Sequence, residues 1–296
     1  MRALLLGLAV LSLPSLGYCG ASLFGELAGT EPSVRATAMA NAYTAADGDV
    51  MGLYYNPAQS MPGKAVGAMF ERGYAEDSMG LLALSLPEAS GGFTLSASLL
   101  YYTSGDIDLY SRSGSKSTAN GEKDYLGSLN LSRKIGEHLS AGGNIKFLNQ
   151  KLFDQKSAST FLFDAGLLLK YPWLNIGLAA QNLGGSLELG SETEYLPSTC
   201  RGGLYRDFAL NKHRISAAFD LVKTQNEPVY TRLGWEFVYN GMAALRLGYE
   251  FKNELSYANQ LRFGCGLVLS NWSFDYALVP YKYLGTAHRF ALTYKL

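Results

Sequence analysis

Beyond Lys64 the chain settles into runs of about ten residues, of the length that spans a membrane as a tilted strand. Apolar and polar side chains alternate within each run, and turn residues close it. A period of two puts alternate side chains on opposite faces of an extended strand. Counted this way, the sequence predicts fourteen strands, at 64–73, 78–86, 92–103, 124–134, 138–149, 159–171, 173–182, 198–207, 213–223, 229–239, 242–251, 258–269, 272–280 and 287–296. The faces are well divided. In the last run Phe290, Leu292, Tyr294 and Leu296 oppose Arg289, Ala291, Thr293 and Lys295. In 258–269 Leu261, Phe263, Cys265, Leu267 and Leu269 oppose Arg262, Gly264 and Gly266.

This alternation suits two architectures. A soluble sandwich turns the apolar face inward, and a membrane barrel turns it toward lipid. Connection lengths separate them. The connections 135–137, 171–172, 208–212, 240–241 and 270–271 are short and fall on one set, whereas 104–123 and 183–197 are long and fall on the other. Barrels of bacterial outer membranes have short periplasmic turns and longer external loops. Aromatic residues near run ends, among them Tyr101, Tyr171, Trp173, Tyr239 and Trp272, suit an interfacial girdle. The expected fold is an all-β, fourteen-stranded antiparallel transmembrane barrel over 63–296, with a soluble β-rich domain as the structural alternative.

The stretch before the strands is different. Residues 34–61 carry Ala36, Ala38, Ala40, Ala42, Ala45 and Ala46, show no strict alternation and run into Pro57. Small side chains permit close backbone packing in a confined space. Residues 22–62 are therefore expected to form a plug inside the barrel. Ahead of them, Arg2, the apolar run 3–13 and Cys19-Gly20-Ala21 read as a signal peptide over 1–21.

Inside the predicted barrel the inward face collects Asp164, Asp220, Arg232, Glu236, Arg246, Glu250, Arg262, Asp275 and Arg289, with Lys146 and Arg214. No central lipid-facing position is charged; an arginine there would cost about 2–4 kcal/mol. Around Asn240-Gly241, face parity demands a three-residue loop or a bulge. One register then sets Glu236 opposite Arg246 and Arg232 opposite Glu250; the other makes both pairs diagonal. The ladder either grips the plug and lines a polar path, or only neutralises lumen charge. Arg35, Asp47 and Asp49 are the plug charges expected to dock on it.

Arg35-Ala36 through Ala42-Tyr43, then Ala46-Asp47-Gly48-Asp49, then Leu53-Tyr54-Tyr55-Asn56-Pro57-Ala58, resemble the N-terminal signature of the FadL superfamily of outer-membrane barrels, most closely its PorV/PorQ branch. Residues 175–184, ending Asn-Leu-Gly, resemble a mid-barrel motif of the same family. Ala38, Ala40, Asn41 and Gln59 stand where the family has glycines. The resemblance makes Arg35, Tyr43, Asp47, Asp49, Asn56, Pro57 and Ala58 the plug motif. It implies one of two roles in the bacterial outer membrane. The PorV/PorQ pattern implies a secretion accessory that binds secreted proteins or translocon subunits. The FadL pattern implies passive transport of long-chain fatty acids or other hydrophobic molecules. The brevity of the external loops favours the first.

Composition removes other classes. A formal net charge of +0 argues against a nucleic-acid partner. Mean hydropathy of +0.01 argues against a helical membrane protein. Cys200 and Cys265 form no framework and match no zinc spacing. His138, His213 and His288 are scattered at strand ends, and there is no Gly-x-Ser-x-Gly elbow or phosphate loop. No enzyme activity, cofactor or metal is expected, and the partner expected besides those above is outer-membrane lipid.

Overall fold

A computed structural model describes residues 26–73, 77–90, 92–110, 114–153, 156–189, 192–252, 260–281 and 285–296. The predicted signal peptide and the first residues of the predicted plug lie outside this set.

In chain order, a 3-10 turn (Glu26–Gly29), a one-turn helix α1 (Val34–Ala38) and a second 3-10 turn (Gly52–Tyr54) precede the strands. These follow as β1 (Ala65–Arg72), β2 (Ser78–Ser90), β3 (Phe93–Thr103), β4 (Asp106–Tyr110), β5 (Lys116–Asn120), β6 (Glu122–Ile135), β7 (Leu139–Leu152), β8 (Lys156–Tyr171), β9 (Leu174–Leu183), β10 (Ser186–Leu189), β11 (Glu192–Tyr195) and β12 (Thr199–Leu210). The chain finishes with β13 (His213–Thr224), β14 (Tyr230–Tyr239), β15 (Ala243–Phe251), β16 (Leu261–Leu269), β17 (Trp272–Tyr281) and β18 (Gly285–Lys295). Fourteen of these close into one antiparallel barrel, in which β1 pairs with both β2 and β18. Each corresponds to one of the fourteen predicted runs.

The outward face is apolar where a soluble protein would be wet. Leu82 is 64%, Leu129 61% and Leu245 66% exposed, and Phe161, Phe263, Phe274 and Phe290 are exposed beside them. A belt of this extent needs lipid around it, which removes the soluble alternative. The inward face is closed over, with Arg201, Asp220, Arg232, Glu236 and Lys146 all buried.

The β14–β15 hairpin resolves the register left open above. Tyr239 pairs with Ala243, so Asn240, Gly241 and Met242 form a three-residue loop, with Asn240 and Gly241 at φ 49° and 69°. Glu236 then faces Arg246 and Arg232 faces Glu250.

Two expectations need correction. The long connections 104–123 and 183–197 are not plain loops; each folds a two-stranded ribbon, β4–β5 and β10–β11. The first is exposed, as a solvated loop should be, but the second folds back on β8 and buries Leu187. The inward face is also not uniformly polar. Met69, Leu81, Leu100, Leu126 and Leu148 are direct cross-strand neighbours from β1 through β7, and all five are buried.

Candidate functional site: the barrel lumen

Residues 27–62 lie against the inward side chains of the wall. α1 is too short to hold itself in water. Ser33 caps it, its hydroxyl accepting from the Ala36 N–H at 3.2 Å. After α1 the backbone turns left-handed at Ala40 (φ 50°) and Asn41 (φ 60°). These are two of the positions where glycine was expected, and Ala40 pays for its Cβ there. Ala40→Gly is expected to stabilise the docked segment by about 1 kcal/mol, read as slower amide exchange through residues 36–44.

Irregular backbone at membrane depth must find its hydrogen bonds in protein. Here the wall supplies them. Asp220 Oδ2 accepts from the Tyr43 N–H at 2.9 Å, the Thr44 N–H at 3.0 Å and the Thr44 hydroxyl at 2.6 Å. Arg201 donates to the Asn41 carbonyl at 2.9 Å, Asn144 to Leu53 at 2.9 Å, Gln181 to Tyr54 at 2.7 Å and Asn130 to Pro57 at 2.9 Å. Asn56 donates to the Thr44 carbonyl at 2.9 Å and across to Leu167 on β8 at 3.0 Å, while its own carbonyl accepts from the Ala58 N–H at 3.0 Å. The Asn-Pro-Ala motif is thus a local turn pinned to the wall.

Ion pairs add to this. Arg35 forks onto Glu236 at 2.9 and 2.7 Å, and Glu236 also takes Arg246 at 2.6 Å and Arg214 at 3.0 Å. Arg246 continues to Asp275 at 2.6 Å. Glu31 sits between Arg201 at 2.5 Å and Arg232 at 2.7 Å, and Arg232 holds Glu250 at 2.7 Å. Arg289 donates to the Glu31 carbonyl and the Thr37 hydroxyl, each at 2.7 Å, and pairs with Glu71. Asp47 pairs with Lys170 on β8. Burial alone would raise the Glu31 pKa; the facing Arg232 and Arg201 guanidiniums outweigh it and hold the carboxyl below its ordinary value.

Arg35 and Asp47 thus each meet a wall charge of opposite sign, Glu236 and Lys170. Asp49 differs: it bonds the Ser33 hydroxyl and the Met51 N–H within its own segment. Burial pushes its pKa up, since those hydrogen bonds only partly offset the lost solvation. Tyr43 packs edge-on to Tyr55, ring centroids 5.4 Å apart, with the Arg35 guanidinium 5.6 Å from its centroid. Asp164 stands apart, binding Lys146 at 2.6 Å, Asn144 at 2.8 Å and the Asn182 N–H at 2.8 Å. That N–H belongs to a bulge between β8 and β9, with Asn182 at φ 57°, inside the Asn-Leu-Gly motif. Arg262 donates to the Leu261 carbonyl at 3.1 Å.

Close packing completes the contact. Methyl groups at Gly142, Gly166, Gly177, Gly234, Gly248 and Gly264 would overlap Pro57, Asn56, Thr44, Met39, Ala40 and Ala38 respectively. Glycines ring the wall where the alanine-rich segment lies.

Beyond the segment, toward the long-loop rim, is the leucine row. Leu162 of β8 joins it, and Leu187 within β10 and Leu196 just after β11 close over it; all three are buried. At the opposite, short-turn rim a mixed-charge vestibule of ≈ 500 Å³ opens beneath Arg35, Asp49, Arg214 and Asp275. Glu31, Arg201, Lys170 and the leucines were missing from the sequence-derived site. Face parity on β12 places Arg201 inward and could have found it.

No family model and no curated protein matches this sequence. Solved structures do. The toluene transporter TbuX of Ralstonia pickettii is 15% identical over 91% of this chain and 99% of its own, with a TM-score of 0.62. The CymD monoaromatic hydrocarbon channel is 12% identical over 90% and 97%, with a TM-score of 0.65. A FadL homologue of Pseudomonas aeruginosa is 11% identical over 89% and 98%, with a TM-score of 0.55. The fold is that of FadL-like membrane barrels. At these identities the likeness is one of fold, and nothing in it singles out the PorV/PorQ branch.

Proposed function

We propose that this protein passes small, uncharged hydrophobic molecules across a bacterial outer membrane, with the leucine row as their binding site and residues 27–62 as the plug that closes the lumen below it. The row carries this reading. Inward leucines on five adjacent strands waste the polar face of a barrel unless something apolar must lie against them, and the ribbon that caps them faces the loop side. The names of the structural neighbours, toluene and monoaromatic hydrocarbon channels, support transport over the secretion-accessory role expected first. No observation favours secreted proteins or translocon subunits as partners.

The charge around the row argues against fatty acids. Lys146, two positions from Leu148 on β7, is already bound to Asp164 at 2.6 Å and to the Asn182 side-chain oxygen at 3.1 Å. Asp124, two positions from Leu126 on β6, adds a buried carboxylate. An ionised carboxylate brought here would have to displace a buried partner.

The test is uptake by cells that lack their own hydrocarbon channel. Expression of the protein should accelerate toluene uptake and leave oleate uptake at background. Leu126→Asn should cut toluene uptake about tenfold, the size of one uncompensated buried polar group, while the barrel still resists unfolding in SDS. Toluene uptake no faster than in empty cells, or a folded L126N variant as active as the parent, would sink the reading.

A further inference from the structure

Charge on the lipid-facing side of the wall is all of one sign. Among strand residues whose side chains are described, the outward Lys, Arg, Asp and Glu positions are Arg72, Lys123, Arg133, Lys151, Arg206 and Lys223. The lumen mixes both signs; among the described side chains the outside carries only cations. All six lie toward strand ends, where an arginine facing lipid costs about 0–1 kcal/mol and not the midplane penalty. Anionic headgroups sit at that height, and each interfacial cation gains about 1 kcal/mol from them.

One of these cations borders a cavity. Where β3, β6 and β7 reach the short-turn rim, an open notch of ≈ 710 Å³ indents the outer face. Its floor is small: Gly143 and Ala141 on β7, opposite Leu131 and Arg133 on β6. Leu131, Ile135 and Phe93 form apolar walls. Arg133, two residues from the end of β6, is exposed, with its guanidinium 4.8 Å from the Phe93 ring centroid. The ring holds the guanidinium over the notch, as a cation stacks on an aromatic face.

We propose that this notch binds an anionic phospholipid of the periplasm-facing leaflet. One acyl chain lies across Ala141 and Gly143 against Leu131, and the phosphate is held by Arg133. The flat sheet face elsewhere meets bulk lipid; here a missing row of side chains makes room for a chain, and the Arg133 guanidinium stands at headgroup height above it.

The test is native mass spectrometry of the protein released from nanodiscs holding equal amounts of phosphatidylglycerol and phosphatidylethanolamine with identical chains. The parent protein should retain phosphatidylglycerol roughly fivefold over phosphatidylethanolamine, the size one interfacial cation provides. Arg133→Gln should bring the ratio to about one. Ala141→Leu, which fills the floor and keeps the cation, should lower retention of both lipids. Arg206→Gln, at the same rim but away from the notch, should leave the preference unchanged. Equal retention by the parent overturns the proposal even if no variant folds; so does a folded R133Q variant that keeps the preference, or an R206Q variant that loses as much of it. The readout is independent of hydrocarbon uptake, so failure of the transport reading leaves this result standing.

Discussion

Glu236→Gln is expected to destabilise the docked protein by about 3–5 kcal/mol, and Arg35→Met by clearly less. The asymmetry follows from the geometry. Glu236 is buried and receives three guanidiniums, from Arg35, Arg246 and Arg214. Neutralising it strands those cations at membrane depth, and breaking a buried pair from its shared centre costs about that much. Removing Arg35 leaves Glu236 with two cations still in place. A double-mutant cycle then isolates the segment-to-wall term. The expected coupling lies at about 1–3 kcal/mol, the upper range for groups in direct contact. Urea unfolding of the four proteins in lipid vesicles gives all the numbers needed. Strictly additive effects would mean that the fork seen between Arg35 and Glu236 does not hold the segment.

That fork could be anticipated, and the reason is physical. In a barrel, parity alone assigns a side chain to lumen or lipid, so Glu236, Arg246, Arg232 and Glu250 were placed inward from the alternation of their own strands. The hairpin needed only loop chemistry: Asn240-Gly241 tolerates left-handed backbone, and parity excluded a two-residue turn. Arg35 stood in the segment's motif. The leucine row was not legible in the same way. Leu100, Leu126 and Leu148 are each one apolar residue on a polar face, which carries no weight strand by strand. They become a feature only when the register makes them neighbours, and register across 104–123 depends on how that long connection folds. Glu31 was hidden for a different reason. It lies in irregular chain with no period, so nothing local says which way it points. The β10–β11 ribbon was read only as a long connection, because length alone says nothing of its fold; its fold back onto β8 depends on Leu162 offering a buried partner.

Gly248→Val is expected to open the lumen. A Cβ at this position meets the Ala40 nitrogen and the Met39 carbonyl carbon, both backbone, so no rotamer change relieves the overlap. One side must move. β15 is hydrogen-bonded along its length to β14 and β16. Residues 39–41 are irregular, already strained at Ala40, and held by side chains. The segment therefore yields before the wall. Overpacking of this kind costs about 1–3 kcal/mol, and a shift of that size in a docked–undocked balance raises the undocked population roughly 5- to 150-fold. Single-channel recording in planar bilayers should show the parent closed for most of the record and the variant open for correspondingly longer. Gly127→Ala is the matching control. A Cβ there meets nothing within 4 Å, so its conductance should equal the parent's. A folded G248V variant as silent as the parent would show that something other than residues 38–41 closes the barrel, and the plug would lose its role while the fold kept its shape. An open variant would place the barrier to passage where glycine wall and alanine segment meet, below the leucine row. A hydrophobic molecule resting on that row would then need only to loosen this one contact to go through.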